Sequence, residues 1–281
     1  MKYGMNLLLW TAGVTEEHYP LLARLKEIGF DGVELPLFIE AEDGFRSLTQ
    51  ELNNLGLGRT GVCVCTPDAN PISSDARIRQ AALDFLKQRI DWSATLGVEV
   101  LCGPIHSALG SLPGRGRTDE EWGYAVEILG KAADYAAQAN VKLSVEPLNR
   151  FEVYFLNTAA DANRLVQEIG HPSLGYLYDS FHANIEERDI RESVTANASG
   201  INHVHISEND RGVPGAGHVR WQETFSALKE VGYDGWLTIE AFGRALPELA
   251  AATCVWRDLF ENADDVPTRG FEFMKRGWEG A

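Results

Sequence analysis

Short apolar runs alternate with longer amphipathic segments along nearly the whole chain. The apolar runs predict buried strands at residues 3–9, 32–35, 60–65, 98–102, 141–145, 174–178, 201–206 and 236–239. The segments between them predict helices at residues 16–28, 44–55, 74–96, 119–140, 158–169, 189–198, 221–231 and 247–260. Glycine follows several of the predicted helices, as at Gly97 and Gly170, where it accepts a left-handed cap conformation at little cost.

Strand–helix alternation indicates a parallel sheet, because parallel neighbours need a crossover connection, usually a helix. Eight such pairs within 281 residues predict an α/β fold with a single closed (β/α)8 barrel, a TIM barrel. No linker or shift in composition divides the chain, so residues 1–281 are predicted to form one domain. The tail from about residue 261 is predicted to be a C-terminal helical extension, either packed on the outside or used for interaction.

Acidic side chains dominate the charge of the chain. It has 41 Asp and Glu against 25 Lys and Arg, a formal net charge of −16. This balance disfavours nucleic acid, whose binders neutralise phosphate with basic patches, and it disfavours an anionic membrane surface. The phosphate-binding motif GxxxxGK[ST] does not occur. A neutral or cationic ligand, or a metal ion, fits the charge better.

The cysteines and the N-terminal residues bear on the cellular compartment. Cys63, Cys65, Cys102 and Cys254 form no CxxC pair and no zinc-like spacing, and we expect buried free thiols, with the first two on one strand. The N-terminal apolar segment is too short for a signal-peptide core. No apolar run approaches the ~18 residues of a membrane span. A soluble, cytoplasmic protein is therefore expected.

One predicted strand ends in unusual chemistry. The run 141–145 is followed directly by Glu146 and Pro147, and a carboxylate at the end of a buried strand must find a partner or lose its charge. Glu152 follows six residues later, in a loop with Asn149 and Arg150. These residues fit either a functional site or a loop of solvated charges.

The barrel prediction directs attention to the strand ends, because active sites of such barrels lie at the C-terminal ends of the strands. The strand-end residues are Glu34, Cys65, Gly103, Glu146, Asp179, His203, His205 and Glu240. The fifth to eighth predicted strands close with Glu146, Asp179, His205 and Glu240. Each acid could instead pair with an arginine or cap the next helix, but four such side chains on consecutive strands favour a metal site. Three carboxylates and one imidazole suit Mn²⁺, Mg²⁺ or Co²⁺ better than tetrahedral Zn²⁺.

Four other residues are weaker candidates. His203 lies two residues before His205 on the same face and is predicted to be a hydrogen-bonded core histidine. His182 is assigned to the loop after Asp179, and His106 to the fourth loop, where it could line a pocket. Arg211 lies in a glycine-rich loop that could hold a substrate oxygen or be merely flexible.

Four segments together resemble the ketose 3-epimerases of the xylose-isomerase-like barrels, the group of D-tagatose/D-psicose (D-allulose) 3-epimerases and L-ribulose 3-epimerases. They are residues 145–152 (VEPLNRFE), 178–187 (YDSFHANIEE), 203–205 (HVH) with Arg211 downstream, and 239–242 (IEAF). The resemblance runs from Met1 to about Phe260 and is strongest in the second half. The combination is much more specific than any one segment.

The resemblance implies metal-dependent epimerisation at C3 of an unphosphorylated ketose through a cis-enediolate. The substrate would be a ketohexose such as D-fructose, D-psicose or D-tagatose, or a ketopentose such as L-ribulose. By this resemblance Glu146 and Glu240 bind the divalent metal and move protons, and Asp179 and His205 complete the metal site. The sugar oxygens are held by Glu152, His182 and Arg211. The resemblance further implies Mn²⁺ before Co²⁺ or Mg²⁺, and a homo-oligomer, either a dimer or a tetramer.

The chain departs from the family pattern where the far end of the sugar is expected. Pro147 and Ala241 follow the two glutamates, Ala183 stands where methionine is usual, and the aromatic side chains of the first loop are missing beyond Trp10. An aldose–ketose or hydroxypyruvate-type isomerase, a dehydratase of inositol or shikimate derivatives, and a non-catalytic sugar-binding barrel are the alternatives. An abasic-site endonuclease would need more metal ligands and a basic face, which this chain lacks.

Overall fold

Eight parallel strands close into one barrel in chain order, with β8 paired to β1. The structure is a computed structural model that describes residues 1–41 and 43–281. The strands are β1 (Lys2–Asn6), β2 (Gly32–Pro36), β3 (Gly58–Val62), β4 (Val100–Gly103), β5 (Lys142–Val145), β6 (Leu174–Asp179), β7 (Ile201–Ile206) and β8 (Trp236–Ile239). The prediction of a single (β/α)8 barrel is confirmed.

Helices surround the barrel, and the main hydrophobic core lies between them and the strands. They are α1 (Tyr19–Ile28), α2 (Arg46–Leu55), α3 (Ala76–Leu96), α4 (Asp119–Gln138), α5 (Ala159–Ile169), α6 (Ser180–Glu186), α7 (Ile190–Thr195), α8 (Trp221–Glu230), α9 (Pro247–Ala252) and α10 (Asp265–Gly280). Short 3-10 turns occur at Leu7–Leu9, Glu16–His18, Pro67–Ala69 and Ala198–Gly200. Among the described residues, no helix combines the length and the apolar character needed to cross a bilayer.

The helix ends follow local sequence signals. Thr118 and Glu121 form a reciprocal capping box at the start of α4, which satisfies two backbone N–H groups that have no partner inside the helix. Gly97 and Gly170 follow α3 and α5 with φ of +70° and +64°, the left-handed conformation expected of them.

The observed element bounds correct several predictions. β3 ends at Val62, so Cys63 and Cys65 lie past the strand and not on it. Glu34 lies inside β2 instead of at its end. The predicted helix 247–260 is helical only to Ala252. Cys254 is exposed, so the expectation of buried thiols was wrong for that residue.

The last helix, α10, packs against α1 and α8 on the outside of the barrel. Its inner face buries Val266, Phe271 and Met274. The Phe271 ring lies 4.8 Å from the ring of Phe30, which follows α1. These contacts make α10 part of the helical layer around the strands.

Candidate active site

Four side chains meet at the C-terminal rim of β5–β8. Glu146 follows β5, Asp179 ends β6, His205 lies in β7 and Glu240 follows β8. Each offers one ligand-type atom, and these atoms all lie within 4.8 Å of one another. All four side chains are buried. The parallel barrel therefore brings the four sequence-predicted residues into one cluster.

The backbone of Glu146 is fixed from both sides of the strand end. Its N–H donates to the Gly103 carbonyl at 3.0 Å. Gly103 has φ +124°, and a Cβ there would lie 2.2 Å from the Cys63 carbonyl oxygen, so only glycine fits. His106 bonds the Glu146 carbonyl through Nε2 at 2.8 Å. His106 is fully buried, so it supports Glu146 from behind and is not a pocket-lining residue.

Asp179 uses its two oxygens differently. Oδ1 accepts hydrogen bonds from the N–H groups of Phe181 and His182 at 2.6 and 3.2 Å, which caps α6. Oδ2 lies 3.5 Å from Nδ1 of His205. This cap places His182 in a helix, so its assignment to a loop was wrong.

His205 presents an unpartnered nitrogen to the three acids. Its Nδ1 is buried and makes no hydrogen bond with any residue of the ranges 1–41 and 43–281. It lies 3.4 Å from Glu240 Oε1, 3.5 Å from Asp179 Oδ2 and 4.0 Å from Glu146 Oε1. Burial alone would lower the pKa of His205, but the charges of Glu34 and Glu240 raise it well above its usual value. A buried nitrogen and three carboxylates that face one point fit a divalent cation.

The two glutamates of the cluster have pKa values displaced in opposite directions. Burial, and then the charge of Glu240, raise the pKa of Glu146 well above its usual value. Burial acts in the same sense on Glu240, but the charges of His205 and Arg211 outweigh it and lower the pKa. Glu146 therefore keeps its proton to a higher pH than Glu240 does, as an acid–base pair requires.

Arg211 reaches the cluster from the loop after β7. Its guanidinium pairs with Glu240 Oε2 in a short hydrogen bond and lies 3.4 Å from Asp179 Oδ2. The residue is 5% exposed, and its backbone has φ +65°. Because a non-glycine residue adopts this conformation only at some cost, the loop must be held in place by other contacts.

Glu208, which no sequence motif singled out, supplies those contacts. Its buried carboxylate accepts from the backbone N–H groups of Gly215 and Val219 and from Nε1 of Trp221, at 2.7, 3.1 and 3.0 Å. A Cβ on Gly217 would lie 2.6 Å from the Glu208 carboxylate. The glycine-rich loop is therefore wrapped around a buried acid, and it is not merely flexible. The spacing of an acid before a glycine-rich run was visible in the sequence, but not its burial.

His182, Asn149 and Glu152 form one side of the pocket. The Asn149 backbone N–H donates to His182 Nδ1 at 3.0 Å, and its side-chain amide donates to Glu152 at 2.7 Å. Burial, and then the charge of Arg211, lower the pKa of His182 to about 3, so the ring is neutral. Since Nδ1 accepts, the ring proton lies on Nε2, which is 3.7 Å from Glu146 Oε1.

The remaining pocket walls are apolar. Glu146, Glu152, His182, Arg211 and Glu240 line one side of the cavity above the barrel. The rest of the lining is formed by Leu8, Phe38, Val62, Val64, Pro104, Leu109, Leu148, Phe242, Leu249, Ala252 and Thr253. Arg150, the cation of the loop after β5, does not line this cavity. Its Nε pairs with Glu186 Oε1 at 3.0 Å, and its side chain is 59% exposed.

The chain matches known proteins over almost its full length. Residues 22–275 match the sequence model described as xylose isomerase-like TIM barrel. An L-ribulose 3-epimerase of Methylomonas sp. (strain DH-1) is 30% identical over 98% of this chain and 97% of its own. A D-psicose 3-epimerase of Agrobacterium fabrum is 28% identical over 94% of this chain and 93% of its own.

Solved structures agree with this relationship. The crystal structure of D-allulose 3-epimerase from Methylomonas sp. in complex with D-allulose superposes with a TM-score of 0.91 at 29% identity. It covers 98% of this chain and 96% of that chain. The chain therefore belongs to the xylose isomerase-like TIM barrel family and, within it, to the ketose 3-epimerases, which are enzymes of the isomerase class.

Proposed function

We propose that this protein epimerises C3 of an unphosphorylated five- or six-carbon ketose in a reaction that depends on a divalent metal. The observation that carries the proposal is the unpartnered Nδ1 of His205, which faces the carboxylates of Glu146, Asp179 and Glu240. The sugar complexes among the related structures support the substrate class. A phosphorylated sugar is disfavoured because Arg211 is the one cation among the described residues that line the pocket, and it is already paired with acids.

The four side chains are those that would hold the metal. Three hard carboxylates and one imidazole suit Mn²⁺, which we propose as the native ion, before Co²⁺ or Mg²⁺. When bound, such a cation supplies a Lewis acid that polarises the ketone and offsets negative charge on the oxygens beside C3.

Glu146 and Glu240 are the proposed catalytic residues. They come from β5 and β8, with β6 and β7 between them, so they approach the substrate from different sides. One carboxylate removes the C3 proton while the other carboxyl group returns a proton to the opposite face. The opposed pKa directions of the two groups give one base and one acid before the substrate arrives. Their roles exchange for the reverse reaction.

Arg211 and His182 define where a sugar oxygen is held. Arg211 Nη2 lies 2.9 Å from His182 Nε2, although both atoms carry N–H donors. This contact has no acceptor, so an oxygen placed beside both groups would accept from both. The proposed position is that of the C2 oxygen, where negative charge develops when C3 loses its proton. Glu152, held by Asn149, would accept from a neighbouring hydroxyl group.

The direct test is proton NMR in D₂O with fructose, psicose, tagatose, sorbose and ribulose as substrates. The enzyme is loaded either with diamagnetic Mg²⁺ or with Mn²⁺, and in the second case the Mn²⁺ is removed from the sample before spectra are acquired. We expect deuterium at C3 together with the C3 epimer, and loss of both on addition of EDTA. Deuterium at C1 or C2 would instead establish the aldose–ketose isomerase. Absence of exchange with every ketose in the panel would contradict the proposal.

The apolar wall predicts weak discrimination at the far end of the sugar. Thr253 carries the one hydroxyl group among the described residues of that wall, and it donates to the Leu249 carbonyl at 2.8 Å. Sugars that differ at C4–C6 therefore lose no charged or amide partner. We expect kcat/KM across the ketose panel to vary by no more than about 200-fold, the range typical of apolar pockets. Initial rates can be measured by chromatography of the product. A preference of about 10⁴-fold for one sugar would show polar recognition that this wall does not provide.

The homo-oligomeric state and the cytoplasmic location remain predictions. Light scattering of the purified protein at several concentrations tests the first of them.

A further inference from the structure

We propose that Glu34 is a positioning residue of the active site: it holds His205 in the orientation and tautomer that leave Nδ1 open toward the acids. This inference rests on the metal site proposed above. Glu34 lies inside β2 and its side chain is fully buried. Nothing in the reaction described so far uses it, although a buried carboxylate is costly unless its partners repay the cost.

The Glu34 carboxylate is surrounded by donors. Each oxygen accepts two hydrogen bonds at ordinary distances, and a thiol adds a longer contact. The donors are Asn6 Nδ2 (2.8 Å) and His205 Nε2 (2.7 Å) on Oε1, and Thr60 Oγ1 (2.8 Å), His203 Nε2 (2.8 Å) and Cys102 Sγ (3.3 Å) on Oε2. An ionised carboxylate has only acceptor sites, so the neighbouring ring nitrogens must donate.

This arrangement decides which nitrogen of His205 is available. Because Nε2 donates to Glu34, a neutral His205 keeps its proton there and leaves the lone pair on Nδ1. That nitrogen lies 3.4–4.0 Å from Glu240, Asp179 and Glu146. Metal-ligating histidines commonly donate their other N–H to a carboxylate, which fixes the ring and raises its basicity. Glu34 thus acts on the metal through His205 without touching it.

The same side chains are close enough to suggest a second metal centre. Glu34, Cys102, His203 and His205 each offer a ligand-type atom within 4.8 Å of the others. The distances favour hydrogen bonds, because His203 Nε2 and His205 Nε2 lie 2.8 and 2.7 Å from the carboxylate oxygens. Two ligand atoms that each lie about 2.0–2.1 Å from a tetrahedral ion would be roughly 3.3 Å apart, which is longer than these observed distances. We therefore assign this group as a support for the site at the rim.

The test compares Glu34→Gln with His203→Gln. The first variant keeps the shape of Glu34 but removes one acceptor oxygen from the network. The second alters the same network at a residue that does not face the acids. With Mn²⁺ alone as the probe, the Kd from electron paramagnetic resonance of free Mn²⁺ should rise about 10–100-fold in Glu34→Gln. It should stay near the wild-type value in His203→Gln.

The tautomer gives a second readout, which a purely structural role would not move. In wild-type protein labelled with ¹⁵N-histidine and loaded with diamagnetic Mg²⁺, His205 should carry its proton on Nε2. That signal should shift or vanish in Glu34→Gln. Finding the proton on Nδ1 in the wild type would overturn the inference even if Glu34→Gln does not fold.

The affinity outcomes separate this inference from the proposed function. Equal Mn²⁺ affinity in wild type and folded Glu34→Gln would overturn the positioning role alone, and so would an equal loss in both variants. A wild-type protein that binds no divalent metal would overturn the metal site and the inference together.

Discussion

Glu146→Gln and Glu240→Gln are each expected to lower the rate of C3 epimerisation by about 10²–10⁴-fold, the usual contribution of a positioned acid or base. Glutamine keeps the size of the side chain but cannot transfer the proton. Both residues also face His205 Nδ1 in the proposed metal site, so the bound metal must be measured in each variant. Initial rates at saturating Mn²⁺ separate loss of the base from loss of the ion.

The proposal of two bases on different sides of the substrate predicts an additional signature. With one base removed, the ketose whose C3 proton faces the remaining carboxylate should still exchange it with D₂O while it fails to epimerise. Glu168→Gln, an exposed residue on α5, is the matched control and should keep the wild-type rate. Near-wild-type epimerisation by either active-site variant would remove that residue from the mechanism.

Binding of the divalent cation is expected to release protons and to tighten as pH rises. In the metal-free protein the pKa values of His205 and Glu146 are both raised well above their usual values, so both groups keep their protons to a higher pH than usual. A cation that binds to the same atoms must displace these protons. The apparent Kd should therefore fall about tenfold per pH unit for each proton released, until pH exceeds the raised pKa values.

Isothermal titration calorimetry in buffers of different ionisation enthalpy counts the released protons directly. Glu146→Gln offers a matched comparison, because its amide has no proton to lose and the count should fall by one. Asp179 should contribute none, since Arg211 outweighs the effect of burial and lowers its pKa. An affinity that is independent of pH would contradict this linkage.

The sequence located the rim of the site because the barrel has a regular architecture. Once β5–β8 are adjacent and parallel, residues at their ends must meet, and the hydrophobic pattern is enough to find those strands. Ile201–Ile206 and Trp236–Ile239 were predicted at their observed bounds. The cluster of Glu146, Asp179, His205 and Glu240 follows from that geometry.

The residues that hold the rim side chains in place could not be predicted in the same way. Glu34 reaches His205 across the barrel interior, 171 residues away in sequence, and no local pattern encodes that contact. Glu208 resembles any acid of a polar loop until its burial is known. The prediction that His182 lies in a loop was wrong for a different reason. Asp179 was interpreted as a strand-end ligand, but it also caps the helix that contains His182.

Pro147 acts on the protein even before it folds. A residue that precedes proline is largely excluded from helical backbone angles, so Glu146 is biased toward the extended conformation in the unfolded chain as well as in the barrel. Proline itself has a restricted φ, and both restrictions reduce the conformational entropy that is lost on folding. Replacing another residue by proline stabilises the folded state by about 0.4–1 kcal/mol where the native backbone angles are compatible with proline. Pro147 thus restricts the backbone of the proposed catalytic carboxylate already in the unfolded chain, a contribution that no contact in the folded structure reveals.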